Sequence, residues 1–294
     1  MKKAIVFYAG MCLLLLGSGV GFAQDGTGGP MGPPKVLLIQ REFLKPGRSG
    51  SMHEKTESAF VRAMTASKWP THYLGMDSLS GQSRALFFVG YPSFEAMEKD
   101  NLATMKNQTL AAAIDRAAIA DGDLLNSYDS TVVYYRDDLS LRSAVDIAKY
   151  RYFQILHFDV KPGHAREFEE MVKMYESGYE KSVPEARWAT FEDTFGQNSG
   201  GVYLVMIPMK SLAEMDSRFG GDNKKFSDAM GEGGMKKLAE LEASCVSGSQ
   251  SNLFMFNPKI SYPADEWIKS DPFWKPKPAP VAAPAAAATS KPGQ

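Results

Sequence analysis

Two stretches of the chain read as copies of one another, and a duplication of this kind fixes architecture before any single residue does. A strand-like run ending Lys45-Pro46-Gly47 recurs as one ending Lys161-Pro162-Gly163, a shift of 161 − 45 = 116 residues. Gly81-Gln82 before the apolar run Ala85 to Pro92 recurs as Gly196-Gln197 before Val202 to Pro208. The copies also close alike: Val132-Val133-Tyr134-Tyr135 precedes Leu139-Ser140, and Leu253-Phe254-Met255-Phe256 precedes Ile260-Ser261. Architecture is thereby constrained, while the chemistry is left open.

The ends are set apart by composition. Lys2 and Lys3, the apolar run Ala4 to Leu16 and the small residues of Gly21-Phe22-Ala23 have the order of a secretory signal peptide over 1–23. The expected mature protein starts at Gln24 and is periplasmic or secreted through a bacterial Sec-type signal. Residues 24–34 are a Gly/Pro-rich linker. Residues 275–294 are a Pro/Ala tail whose composition favours an extended, disordered chain. Between core and tail, residues 263–274 carry Trp267, Phe273 and Trp274, an aromatic arm expected to dock on the second domain. No stretch after the signal reaches the ~20 apolar residues a membrane-spanning helix needs.

Composition excludes several classes. Without Lys2 and Lys3 the chain has 31 basic against 34 acidic residues, a balance unsuited to nucleic acid, which calls for clustered Lys and Arg. Cys12 lies in the signal, so Cys245 has no partner for an intrachain disulfide and no set of cysteines exists to hold a metal. Its neighbours Ala243 and Val246 predict a buried thiol. The four histidines, His53, His72, His157 and His164, have no metal-binding spacing, and His53 and His164 are expected to be solvated. Gly231-Glu232-Gly233-Gly234 has no strand before it and reads as a helix break, not a phosphate loop.

Each copy runs strand, helix, strand, strand, helices, strand. The first strand is Val36 to Leu44, followed by a helix best marked in the second copy by the stripe Phe168, Met171, Val172, Tyr175, Tyr179. The first copy carries a weaker stripe in Met52, Thr56, Ala59 and Ala63. The third strands, Ala85 to Tyr91 and Val202 to Ile207, are almost continuously apolar, as when both faces are covered. This order is βαββαβ. The predicted fold is therefore α+β: two tandem ferredoxin-like domains, 35–143 and 144–262, whose bare sheet faces pack together as an intrachain pseudo-dimer, with no partner chain needed for folding.

On the Lys-Pro-Gly turns, the helix that follows and the closing Leu-Ser or Ile-Ser, the chain resembles the dimeric α/β-barrel superfamily, nearest its NIPSNAP-like and antibiotic-biosynthesis-monooxygenase-like branches. The resemblance spans about residues 35–262. It implies an intrachain barrel, and a function among cofactor-free monooxygenases, haem proteins and members without known activity. Fold alone does not choose between them.

Candidate site residues come from matched positions. Aligned on the turns, Arg41 faces His157, with Asp159 two residues on, and strand alternation points His157 and Asp159 the same way as Ile155. If that face lies between the sheets, the arginine and histidine converge on a cavity and can bind an anion, polarise a carbonyl or ligate a haem. In the second strands Tyr73 and Asp77 match Trp188 and Glu192, an aromatic followed on the same face by a carboxylate. Solvated polar residues are the alternative for both sets. The primary functional expectation is an exported small-molecule-binding or accessory protein. The alternatives are a monooxygenase-like or haem-dependent oxidoreductase using the cavity around Arg41, His157, Trp188 and Glu192, and a cell-surface interaction module.

Overall fold

The computed structural model describes residues 32–196 and 201–275, so the signal-peptide reading and the Pro/Ala tail beyond residue 275 lie outside the described residues. The elements run β1 (Val36–Leu44), α1 (Ser51–Ser67), β2 (Tyr73–Ser78), β3 (Arg84–Tyr91), α2 (Phe94–Lys106), α3 (Gln108–Gly122) and β4 (Leu125–Leu141). They continue with β5 (Tyr152–Val160), α4 (Ala165–Ser182), β6 (Trp188–Phe195), β7 (Val202–Met209), α5 (Ala213–Ser217), α6 (Asn223–Cys245), β8 (Val246–Phe256) and α7 (Asp265–Ser270). The fold is α+β. Among the described residues eight strands close into one antiparallel barrel in the order β1-β3-β2-β8-β5-β7-β6-β4.

The expected face-to-face packing of two sheets takes a more connected form. β2 hydrogen-bonds to β8 in the register Met76↔Phe256, and β4 to β6 through pairs such as Tyr134↔Glu192. The length of β4, 17 residues with two register shifts against β6, lets it pair with β1 along one part and β6 along another. Both seams are thereby paired, and no row of backbone groups on them is left as an exposed edge.

Period-two alternation divides each strand between the lumen and the helix layer. Phe88, Phe153, Phe191, Met206, Phe254 and Phe256 point inward and form one core drawn from both halves of the chain. Ring centroids there are 6.2 Å apart for Phe88 and Phe153 and 5.3 Å for Phe153 and Phe256. The aromatic arm closes one end of this core. Trp274 is fully buried, packs 5.4 Å from the Phe256 ring, and donates its indole N–H to the Ala148 carbonyl at 2.8 Å. Just before the arm, Tyr262 bridges to Tyr73 of the first half.

The helices cover the outside. α4 and α6 bury Phe168, Met171, Phe226 and Leu238 over β5 and β7, with Cys245 fully buried among them. Gly231, at φ 64°, bends α6 where the sequence signals a break. On α1 the buried residues are His53, Glu57 and Ala63, while Met52 is exposed, so the faint apolar stripe borders the groove toward α3 and the sheet-facing side is polar. Among the described residues no helix is long and apolar enough to cross a membrane.

Candidate functional site

The first-strand candidates meet at one mouth of the barrel. Arg41 and His157 lie on the same alternating face as Ile39 and Ile155, which are lumen residues. Arg41 forms an ion pair with Asp129, its cross-strand neighbour on β4. His157 and Asp159 are hydrogen-bonded at 3.1 Å. Asp193 sits near both Arg41 and His157 and accepts from the Thr131 hydroxyl at 2.9 Å; burial raises its carboxyl, opposed first by the Thr131 hydrogen bond and then by the Arg41 guanidinium. The convergence of arginine and histidine is present, but the phenylalanine core fills the lumen beneath it. The void inside the barrel measures about 100 Å³ and lies at the opposite end, beside Pro33, Leu37, Met206 and Trp267.

The second-strand candidates face outward, to the helix layer. Trp188 donates its indole N–H to the Leu139 carbonyl at 3.0 Å and packs edge-on against Tyr179. Glu192 accepts from Arg136 at 2.7 Å; that guanidinium also reaches Asp138 and Glu169, and the carboxylates hold it above the usual arginine range. Arg136 therefore ties β4 to β6 through Glu192 and to α4 through Glu169. Strand alternation puts Arg41 and His157 on one side of the barrel wall and Trp188 and Glu192 on the other, so the four do not surround a common cavity.

A larger space near Trp188 lies outside the barrel. A cleft of about 770 Å³ lies between the outer face of β5, β6 and β7 and the helices α4, α5 and α6. Leu156, Phe158, Val205 and Ile207 form its floor, and Met171, Tyr175 and Tyr179 of α4 form a wall. Gly178 makes that wall: a Cβ there would lie 2.5 Å from the Phe226 ring, which stacks on Tyr179 at 4.5 Å. Burial raises the phenols of Tyr175 and Tyr179 and keeps them as protonated donors.

Charge collects at the rim. A π-helical turn, Arg218–Asp222, joins α5 to α6 and brings Arg218 and Asp222 to the cleft; such turns recur at functional sites. Arg218 donates to the Gln154 side-chain oxygen, a neutral partner, and burial lowers its affinity for its proton. Arg187 pairs with Glu214, yet its Nε–H is buried without a hydrogen-bond partner. Lys210 stands nearby and Lys225 pairs with Asp222 at 2.9 Å, while Glu185 and Glu242 also line the cleft, so the rim carries both signs of charge. An apolar slot flanked by aromatic rings, with arginine donors at one side, suits a flat apolar body bearing an anionic group.

Tyr73 and Asp77, on the outer face of β2, lead to a second group that the sequence reading passed over. His53 is not solvated: it is 1 % exposed, and its Nε2 lies 2.9 Å from Glu42 Oε2 and 3.7 Å from Asp121 Oδ1. Glu57 completes the group, with one ligand atom from each of the four residues within 4.8 Å of the others. His53 and Glu57 are one helical turn apart on α1, Glu42 comes from β1 and Asp121 from the end of α3. Burial raises the carboxyls of Glu42, Glu57 and Asp77, and Asp77 accepts from the Asn257 amide at 2.7 Å. The spacing His53-x-x-x-Glu57 was the available sequence signal. It was hidden by the ordinary preference of charged residues for the surface.

No family model matches the chain, and no curated protein matches it. Solved structures do. An anthrone oxidase-like protein superposes with TM-score 0.50 at 12 % identity, covering 76 % of this chain and 92 % of that one. A monooxygenase-like protein of Fusobacterium nucleatum gives 0.49 at 14 %, over 77 % and 93 % of the two chains. A chlorite dismutase variant of Candidatus Nitrospira defluvii gives 0.44 at 10 %, over 81 % and 95 %. At these identities the likeness is one of fold alone.

Proposed function

We propose that the protein is an exported oxidoreductase of the monooxygenase-like kind that binds an amphipathic organic anion in the outer cleft. The observation that carries this reading is Arg218: a half-buried guanidinium at an apolar, aromatic-walled cleft, with a neutral amide as its side-chain partner. A bound carboxylate, phenolate or enolate would give Arg218 a direct charged partner in addition to the fields of Glu214 and Asp222, and the buried Nε–H of Arg187 offers a second donor. Holding a substrate as its anion at arginine donors lowers the cost of removing its proton. That is what a residue set without a nucleophile elbow or cysteine thiolate can contribute to oxidation by dioxygen. The fold shared with an anthrone oxidase-like protein makes an anthrone a suitable first substrate. The test is oxygen consumption with anthrone, against a protein-free control. The reading expects turnover above the control and at least a roughly tenfold loss in Arg218→Gln, as for one charged hydrogen bond. Binding without oxygen uptake would return the protein to the passive-binder class.

A second reading, haem-dependent oxidoreduction, is favoured by the size of the same cleft and by Arg218 and Lys210 on its mixed-charge rim, which could meet propionates. The donors on the cleft wall are the Tyr175 and Tyr179 phenols and the Met171 thioether. His157, on the lumen face, cannot serve this cleft. Titration with haemin decides it: a Soret band that shifts in Tyr179→Phe supports the reading, and free-haemin absorbance throughout rejects it.

The element order supports reading the chain as two tandem ferredoxin-like units, 35–143 and 144–262, nearest the NIPSNAP-like and monooxygenase-like branches. Export rests on the Lys2-Lys3 start and Gly21-Phe22-Ala23. N-terminal sequencing should find Gln24 first, and an intact Met1 on exported protein would contradict it.

A further inference from the structure

The group on the first half's helix layer has a composition that packing does not require. In the second half the layer between β5 and α4 is apolar, filled by Phe158, Phe168 and Tyr203, with Phe168 and Tyr203 stacked at 4.4 Å. Between β1 and α1 the same kind of layer instead holds Glu42 (8 % exposed), His53, Glu57 (3 %) and Asp121 (2 %). Three buried carboxylates near one imidazole are costly unless a cation compensates them. Among the described residues His53 is the ion-pair partner of Glu42 and Asp121, and Glu57 has none. Two polar atoms here are also orphaned. Glu57 Oε1 and the Tyr73 hydroxyl are both buried without a hydrogen-bond partner, and Tyr73, 9 % exposed, lies within the fields of Glu57 and Glu42. Buried groups of this kind call for an explanation, and an absent ion is one.

We propose that Glu42, His53, Glu57 and Asp121 form a binding site for one divalent first-row transition ion, of the Mn²⁺, Fe²⁺ or Zn²⁺ class. Such ions take oxygen and nitrogen ligands at about 2.0–2.2 Å, so ligands around one ion lie roughly 3–4.4 Å apart. The four ligand atoms, all within 4.8 Å of one another, reach that spacing by shifts of a few tenths of an ångström. The donor set also selects the ion. Imidazole disfavours Mg²⁺ and Ca²⁺, and carboxylates without thiolate disfavour Cu⁺. Thr56 donates to Asp121 Oδ1 at 2.6 Å and orients that carboxylate, as outer hydrogen bonds do around metal ligands. With ligands from β1, α1 and α3, the ion would pin both helices to the barrel. The site is separate from the outer cleft and does not depend on the activity proposed there.

The test uses the full mature chain, stripped with EDTA and then given MnCl2 or ZnCl2. After desalting, elemental analysis should find about one ion per chain. The melting temperature should rise by roughly 5–10 °C at an ion concentration about 100 times Kd. Glu57→Gln and His53→Gln should each weaken ion affinity at least tenfold, and so lower both the ion retained after desalting and the thermal shift. Wild-type protein that takes up no ion and shows no thermal shift at millimolar metal would overturn the proposal, whatever the variants do. Stoichiometric binding that survives in both variants would place the ion elsewhere and overturn it equally.

Discussion

Replacing Trp274 by alanine should cost the protein a large part of its stability, although the residue lies in a short arm after the last strand. The side chain is fully buried, with the rings of Phe256, Trp267 and Phe273 at 5.4, 5.3 and 5.0 Å. Deleting a buried aromatic of this size costs about 3–5 kcal/mol, because the transferred surface is lost and a cavity remains. The Ala148 carbonyl, which accepts from the indole at 2.8 Å, would lose its donor unless water replaced it. Taking about 4 kcal/mol in all, and roughly 2–4 °C per kcal/mol for a chain of this size, the melting temperature should fall by about 8–16 °C. Trp274→Phe separates the two contributions, since it keeps most of the ring packing and removes only the N–H, for about 1–3 kcal/mol. Circular-dichroism melts of the three proteins give the answer. A Trp274→Ala shift below about 2 °C would mean that the arm leaves the barrel in solution, and the plugged-barrel description would fail.

Other outcomes follow from the same structure. Gly178→Ala should destabilise by about 1–3 kcal/mol despite alanine's higher helix propensity, because the new Cβ would lie 2.5 Å from Phe226 and 2.7 Å from Met230 Sδ; a stabilised variant in a thermal melt would refute the close approach. Halves expressed separately, divided near Ala144, should not sediment as folded monomers, since each would lose both the β2–β8 and β4–β6 seams and expose half of the lumen core. A soluble, monomeric half would show that the seams add little.

The strand-and-helix plan was legible because the signals came twice. The apolar third strands appear as Arg84–Tyr91 and Val202–Met209, and the shared direction of His157, Asp159 and Ile155 was correct because alternation is geometric. Which way a strand face points was harder to read. When helices cover the outside, both faces are apolar and the pattern no longer separates lumen from helix layer, so Trp188 and Glu192 were grouped with Arg41 and His157 across the wall. Closure of the barrel depends on the length and register of β4, which composition does not encode. Arg218 escaped notice because a π-helical turn has no sequence signature of its own. Glu42, His53 and Glu57 escaped because burial of charge runs against the usual expectation.

The central claim is that the ligand site lies outside the barrel and not in the space between its sheets. The most direct measurement is the dissociation constant of a fluorescent aromatic anion, 1-anilinonaphthalene-8-sulfonate, for wild type, Arg218→Gln and His157→Ala. The account predicts binding weakened about tenfold or more in Arg218→Gln, the loss of one charged hydrogen bond, and unchanged in His157→Ala. Binding abolished in His157→Ala and untouched in Arg218→Gln would move the site to the lumen mouth and contradict the account.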